Sequence, residues 1–587
     1  MIRKTIFFAF LIVLGILLFV NPNFKAISAG VAILLFGMIM LEEGFKVFTK
    51  GPLQNILKKA TNKLYKSITA GAFVTALIQS SSLVSVITIS FISAELITLA
   101  GGIGLIFGSN IGTTATAWLV AGFGLKIKIS ALAMPMLVFG IVFSFQKKPA
   151  LKGIGNVLAG LGFFFLGIHY MKEGFDVFKE YIDLSQFAVS GFLGVFIYTG
   201  LGIIITTILQ SSSATLALIL TALAAGQIEY ENALALAIGA NVGTTITAVL
   251  GSLGSNAAGR RLAGAHLIFN VITGLIAIVF IYPLARLVNN LSEFMQIVNT
   301  NYVLKLALFH TIFNVIGVVI MIPFIKKLEH LLLRIVKARP DSDKDVDEPK
   351  YLNPAALKFS GTAISTLVKE SKYLYKNSIF EIVSHALNIH REDIKSDEKV
   401  KEIIKKSDTD FKTDIEDLYY TKVKNIYGEI IRYATTAESD LKLNKKQVKA
   451  ISDIKIANIK MVEIVKEAKE LNKNIAQALT TDNKYMRDEY NNFRKKLTKV
   501  LRVIYLFRTE ENYKDYELKL KELKKDAKAN KRHSNKSIDK LIRKNLITAE
   551  MASSLFNDYT NVNDMIKKLI EVAELLYTKH DSLLDNS

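Results

Sequence analysis

The sequence predicts an all-α fold: a polytopic membrane unit with two inverted repeats and broken re-entrant helices, then a cytoplasmic helical bundle. Three observations predict it. Of the 73 Lys+Arg and 52 Asp+Glu in 587 residues, residues 1–340 hold only 25 and 11. Long apolar segments fill that first part. Two serine-rich polar runs recur inside it at an offset of 131 residues. The first part is too apolar for a soluble domain and the remainder too charged for a membrane interior.

Composition excludes several chemistries. There is no cysteine, so disulfide scaffolds, thiolate metal sites, Cys nucleophiles and CxxC redox motifs are ruled out. The net charge of +21 comes partly from short basic clusters beside apolar segments and partly from a tail in which both signs alternate. A nucleic-acid binder more often carries a dense basic stripe, so no nucleic-acid partner is expected. No P-loop, HExxH or GxSxG occurs, and the chain does not read as an enzyme.

A membrane span needs about 20 apolar residues. Spans are expected at 5–20, 26–42, 98–121, 126–144, 153–171, 231–251, 262–284 and 302–324. The first reads as an uncleaved span rather than a signal peptide, since no clear small-residue cleavage site follows it. Segments 67–94 and 189–224 are apolar but interrupted by glutamine and serine, and are expected to enter and leave on one side. With the N-terminus in the cytoplasm, the loop carrying Lys58, Lys59, Lys63 and Lys66 lies inside. So do Lys147, Lys148 and Lys152, then Arg260 and Arg261, then Lys326 and Lys327, as the distribution of basic loops favours. The loop at 172–188, with Glu173, Asp176, Glu180 and Asp183, falls outside. The C-terminus returns to the cytoplasm of a bacterial inner membrane.

The membrane unit is therefore placed at 1–337, with repeats at about 26–144 and 153–284 and a final span. Residues 338–353, with two prolines and alternating charge, read as a linker. Beyond it, SDIKIANIKMVEIVKEAKEL and DMIKKLIEVAELLYTKH place apolar residues at helical spacing, and 354–587 is expected to form a helical bundle.

The repeat carries the chemistry. Gln79-Ser80-Ser81-Ser82 matches Gln210-Ser211-Ser212-Ser213, and GSNIGTTATA at 108–117 matches GANVGTTITA at 239–248. Thr75 pairs with Thr206, Asn110 with Asn241, and Thr113-Thr114 with Thr244-Thr245. EGFKVF at 43–48 aligns with EGFDVF at 173–178. Three full crossings separate the glutamine-serine segments, so the second copy is inverted. Inverted repeats with discontinuous helices and a central site describe many secondary transporters.

Polar backbone is tolerated at membrane depth only where protein buries it or a wet cavity meets it. A broken helix offers N–H groups to an anion at one end and carbonyls to a cation at the other. Hydroxyls serve both. Neither segment holds Arg or Lys, so a multivalent anion needs co-bound cations to balance it. A single QSSS would read as helix packing; two at matched spacing read as one site.

QSSS repeated, with GSNIGTT and GANVGTT downstream, resembles the sodium-dependent phosphate cotransporters, the type II Na/Pi family and its bacterial relatives, over roughly residues 25–325. The resemblance implies that Gln79, Ser80, Ser81, Ser82, Gln210, Ser211, Ser212 and Ser213 bind phosphate and sodium. It implies that Asn110, Thr113, Thr114, Asn241, Thr244 and Thr245 line or brace that site, with Thr75 and Thr206 supporting. Sodium is then the coupling ion and no other cofactor is expected. Electrogenic animal members carry an aspartate after the first G-x-N-x-G-T region; here that stretch reads AWLVAGFGLKIK, which implies a different charge balance.

His266 to Asn270 and His310 to Asn314 repeat H-x-x-F-N, and a neutral histidine bonded across helices is favoured over a titrating one. For Glu43 and Glu173, capping or interface packing is favoured over a gate. The tail resembles the PhoU-like domain of bacterial members, with Asp453–Asn458 and Asp558–Asp564 as departures from its acidic metal motifs; a solvated helix face is expected there. Inorganic phosphate, Na⁺ and membrane lipid are the expected partners. A homo-oligomer and a cytoplasmic regulator acting through the tail are left open. Another small oxyanion as cargo, or a membrane phosphate sensor, stands as the alternative.

Overall fold

The computed structural model describes residues 15–20, 22–48, 60–125, 129–181, 188–337, 346–407, 413–510 and 513–577, with residues 12, 57 and 186. Most of the expected span at 5–20, and residues 338–345 of the expected linker, lie outside them. The described elements are helices, with no strand among them. The chain divides into two compact units, Met1–Arg339 and Pro340–Asn586.

In the first unit the helices run α1 (Pro22–Phe48), α2 (Leu64–Ile78), α3 (Ser81–Ser93), α4 (Leu99–Leu119), α5 (Ile129–Ser144), α6 (Pro149–Tyr181), α7 (Gly191–Leu209), α8 (Ser212–Ala224), α9 (Tyr230–Ser252), α10 (Ala257–Val279), α11 (Ile281–Phe294), α12 (Tyr302–Met321) and α13 (Ile325–Ile335). Among the described residues, seven helices are long and apolar enough to cross a membrane; α2, α3, α8 and most of α5 are shorter apolar helices. The interrupted segments are thus helix pairs, α2–α3 and α7–α8, broken at Gln79-Ser80 and Gln210-Ser211. The first half of the second pair, α7, is itself of spanning length. Phe139, Phe145, Phe192, Leu193 and Ile208 leave large apolar side chains exposed, as a lipid-facing surface requires.

Four expected spans differ clearly in extent: the described helix within 126–144 is Ile129–Ser144, and the span at 153–171 lengthens to Pro149–Tyr181. The span at 262–284 ends at Val279, and a separate amphipathic helix, α11, follows. Pro283 explains the break, because it has no N–H to give the carbonyl four residues earlier. The span at 302–324 continues through a 3₁₀ turn containing Pro323 into α13.

Glycine sets how closely the helices approach. Along α1, Gly30, Gly37 and Gly44 recur every seven residues, and along α6 Gly153, Gly160, Gly167 and Gly174 do the same. The two rows face each other: a Cβ on Gly37 would stand 2.7 Å from the Gly160 carbonyl, and one on Gly167 2.7 Å from the Gly30 carbonyl. The repeated EGF therefore marks this seam through Gly44 and Gly174, while Glu43 and Glu173 are exposed. Glycine packing accounts for the recurrence of the motif.

In the second unit, α14 (Ser360–Leu374) runs through a π-turn into α15 (Phe380–Ala386); then come α16 (Arg391–Lys395), α17 (Val400–Lys406), α18 (Ile415–Lys422), α19 (Lys424–Asp440), α20 (Lys445–Thr480), α21 (Lys484–Thr509), α22 (Tyr513–Arg543) and α23 (Ala549–Tyr577). Asn444 and Gln447 form a reciprocal capping box that starts α20, satisfying two end groups at once. Met461, Leu471, Leu497, Ile504, Leu555 and Leu569 share one buried core. Buried Glu370 accepts the backbone N–H groups of Lys350 and Leu352 at 3.1 and 3.2 Å, and that of Tyr351. The last residues of the expected linker are thereby fastened to the bundle.

Of the acidic positions of the tail, Asp453 and Asp564 are partly exposed, whereas Asp558 is buried, contrary to the expectation of a solvated face. Asp558 is 1% exposed, accepting from Tyr490 Oη at 2.6 Å and Asn474 Nδ2 at 3.0 Å. Asn458 is buried and donates to Ser371 Oγ at 2.7 Å. The apolar spacing of α20, α21 and α23 carries these polar groups inward. Among the described residues no three His, Asp or Glu side chains gather as a metal cluster would require.

Candidate functional site

The site grows from two helix ends. α2 stops when Gln79 turns to φ 60°, and α7 stops when Gln210 turns to φ 53°. Both are left-handed positions that a side chain with a Cβ rarely takes, costing about 1–3 kcal/mol unless the surroundings enforce them. In each case the glutamine N–H closes onto the carbonyl four residues back, Thr75 or Thr206, at 2.7 Å. The chain then becomes extended at Ser80 and Ser211. Each serine hydroxyl caps the next helix, accepting from Leu83 N or Ala214 N at 3.2 Å. This is ordinary N-capping placed inside an apolar segment.

The second motif positions the first. α4 lies along α2, and α9 along α7. At Gly108 a Cβ would be 1.9 Å from the Ile68 carbonyl, and at Gly239 2.1 Å from the Thr199 carbonyl. Gly112 and Gly243 face Ala72 and Ile203 in the same way. The glycines of G-x-N-x-G thus let each broken segment lie backbone to backbone on a full helix.

One chain of hydrogen bonds joins the two breaks. Thr116 Oγ1 donates to Gln79 Oε1 at 2.7 Å and lies 3.0 Å from Ser213 Oγ. A hydroxyl has a single hydrogen, so Ser213 is the donor in that second contact. In the mirror position Ser82 Oγ is 3.3 Å from Thr247 Oγ1, whose own hydrogen goes to the Thr244 carbonyl at 2.7 Å. Each serine run therefore reaches the helix of the other repeat. Gln79 also donates through Nε2 to the Ala76 carbonyl. Gln210, its counterpart, is exposed.

Thr116 and Thr247 were not singled out from sequence, although both lie inside the matched decapeptides. Thr113, Thr114, Thr244 and Thr245, which were, each donate to a carbonyl of their own helix at 2.7–2.9 Å. Asn110 likewise turns back to the Ile106 carbonyl at 2.9 Å. Ser81 and Ser212 are buried in the first turns of α3 and α8. Thr206 donates to Thr215 Oγ1 at 3.0 Å, whereas Thr75, where the corresponding partner position is Val84, keeps a buried hydroxyl with no partner among the described residues.

The H-x-x-F-N motifs brace rather than line the break. Asn241 Nδ2 donates to Asn314 Oδ1 at 2.7 Å, Asn314 Nδ2 to the His310 carbonyl at 2.8 Å, and His310 Nε2 is 3.0 Å from Asn241 Oδ1. That network ties α9 to α12. Asn270 donates to the His266 carbonyl at 3.0 Å, and Phe269 packs on Phe107 with ring centroids 4.3 Å apart. His266 is fully buried and its ring nitrogens have no partner among the described residues.

Two copies of one helix-break motif, bonded across to each other, narrow the choice of family. The family model described as Na⁺/Pi-cotransporter matches residues 33–173 and again 184–329, each stretch holding one QSSS and one G-x-N-x-G-T-T run. Over that span the chain belongs to the Na⁺/Pi-cotransporter family. It is 27% identical over 344 residues to the Salmonella typhimurium protein provisionally named inorganic phosphate export protein YjbB, covering 58% of this chain and 61% of that one. The Escherichia coli protein of the same name is 26% identical over 345 residues, with the same coverage. The uncharacterised Bacillus subtilis protein YqeW is 28% identical over 275 residues, covering 45% of this chain and 85% of YqeW. The match thus spans about three-fifths of the two phosphate-export relatives. No solved structure matches the chain.

Proposed function

We propose that the first unit moves inorganic phosphate across a membrane by alternating access, coupled to sodium, with both helix breaks forming one site. The hydrogen-bond chain from Ser213 through Thr116 to Gln79 carries this reading, because it brings the two QSSS motifs into one polar centre. The relatives named for phosphate export and the family description support the choice of cargo. Hydroxyls and helix N-termini suit phosphate oxygens, and hydroxyl and carbonyl oxygens suit sodium. Neutral ligands alone would leave a divalent anion badly compensated in a partly desolvated site, so sodium and phosphate bind together. The bundle from residue 354 onward acts as a PhoU-like regulatory domain on the cytoplasmic side of a bacterial inner membrane. Phosphate flux into proteoliposomes with and without a sodium gradient tests the coupling. Saturable flux indifferent to sodium would sink it, and sulfate carried as well as phosphate would favour the broader oxyanion reading.

A further inference from the structure

The two breaks are not chemically equal. Helix α1 runs past both: Ser80 Oγ donates to Glu42 Oε2 at 3.3 Å, while Ser211 Oγ lies 3.9 Å from Met38 Sδ, one turn earlier on the same face. A rise of about 1.5 Å per residue puts those two contacts roughly 6 Å apart along α1. Aligning LEEGF at 41–45 with MKEGF at 171–175 places Lys172 at the position of Glu42. Among the described residues, a carboxylate is bonded to the serine run of the first repeat and none to that of the second.

A carboxylate is an odd wall for an anion site. Beside bound phosphate it adds a further negative charge, which a poorly solvated site resists unless a cation intervenes. An ionisable side chain in a membrane-embedded helix is costly and generally marks an ion path. Ser80 supplies a second oxygen, and α2 ends here with its carbonyl dipoles directed at the break. Hard oxygen ligands with one formal charge describe a site for a small monovalent cation.

The geometry points to Glu42 and Ser80 as a sodium site at the first break, Glu42 being its charged ligand. This rests on the phosphate-transport reading for its role in coupling, but cation binding is measurable without transport. Full-length protein in detergent is titrated with sodium chloride against choline chloride at constant ionic strength, without phosphate, following the Tm. The parent gains stability saturably with sodium. Glu42→Gln raises the half-saturating sodium concentration about tenfold or more, Ser80→Ala raises it less, and Glu42→Asp stays within roughly threefold of the parent, tenfold being about 1.4 kcal/mol. A Glu42→Gln midpoint within about twofold of the parent overturns the site. So does a parent that sodium stabilises no more than choline. If Glu42 merely caps α3, its replacement lowers the Tm equally in both salts with the midpoint unmoved, which also overturns it. Should Glu42→Gln not fold, Ser80→Ala and Glu42→Asp report the same midpoint. Sodium-independent phosphate flux in proteoliposomes alongside a shifted midpoint would remove the coupling and leave the cation site standing.

Discussion

Thr116 and Thr247 occupy the same place in the two repeats, and each meets a serine of the opposite repeat: Ser213 at 3.0 Å and Ser82 at 3.3 Å. The pairing makes each full-length helix a partner to both breaks. It also turns a duplicated sequence into one shared centre.

Replacing Thr116 by valine keeps the shape and removes the hydroxyl between Gln79 and Ser213. Each broken bond leaves a buried polar group short, typically costing about 1–3 kcal/mol. Thr116→Val should lower phosphate affinity about tenfold or more, with Thr247→Val milder because its contact is longer. Initial-rate flux in proteoliposomes across a phosphate series measures both. Unchanged apparent KM in Thr116→Val would separate the hydroxyl chain from substrate binding.

If both halves contribute to the site, as proposed, Gln79→Ala and Gln210→Ala should each abolish flux. They should differ in stability. Gln79 is bonded to Ala76 and Thr116 and its loss should lower the Tm, whereas Gln210 is exposed and its loss should not. Parental flux in either variant contradicts the shared site.

Gly239→Ala tests the close approach of α9 to α7. A methyl group 2.1 Å from the Thr199 carbonyl cannot fit without separating the helices, and overpacking commonly costs about 1–3 kcal/mol. Thermal unfolding in detergent should show a clear loss, while alanine at Gly200, where a Cβ meets nothing within 4 Å, should be nearly silent.

Asp558 gives the tail a pH signature. Burial is the main influence and raises its pKa, against the bonds from Tyr490 and Asn474 that lower it. A raised native pKa means the folded bundle holds the proton more tightly than the unfolded chain. Its contribution is therefore full below the ordinary aspartate value of 3.8 and is lost as pH climbs through the raised value. Asp558→Asn should flatten that part of the stability–pH curve without lowering the Tm at neutral pH. A curve identical to the parent's would assign the slope to other groups.

Orientation can be read chemically, because the chain has no cysteine of its own. Ser190→Cys should react with an impermeant maleimide added outside whole cells, and Lys148→Cys only after permeabilisation. The reverse labelling inverts the topology.

The duplication, the two breaks and the charge boundary near residue 340 were legible from residue types alone. Register was not. Thr113, Thr114 and Thr116 share one turn of α4, and choosing among them requires knowing where α8 lies. Glu42 was hidden beside an EGF motif whose repeated feature is the glycine. The early end of α10 was missed because Pro283 lies within an unbroken apolar stretch, where hydropathy outweighs a single absent donor. Asp558 looked solvated because its neighbours in sequence are polar, while the partners that bury it come from other helices.

Along the facing glycine rows of α1 and α6 the backbones nearly touch, a Cβ on Gly37 or Gly167 falling 2.5 Å from a backbone nitrogen of the other helix. Where side chains interdigitate, rotamers can reshuffle and let one helix slide on another; where carbonyls meet a neighbour's Cα, no such slack exists. We expect this pair to move as a single stiff beam. In the carrier cycle proposed above, the strain would fall elsewhere, at the left-handed turns of Gln79 and Gln210. Glu42, carried on α1, would then keep its place while the serine runs shift.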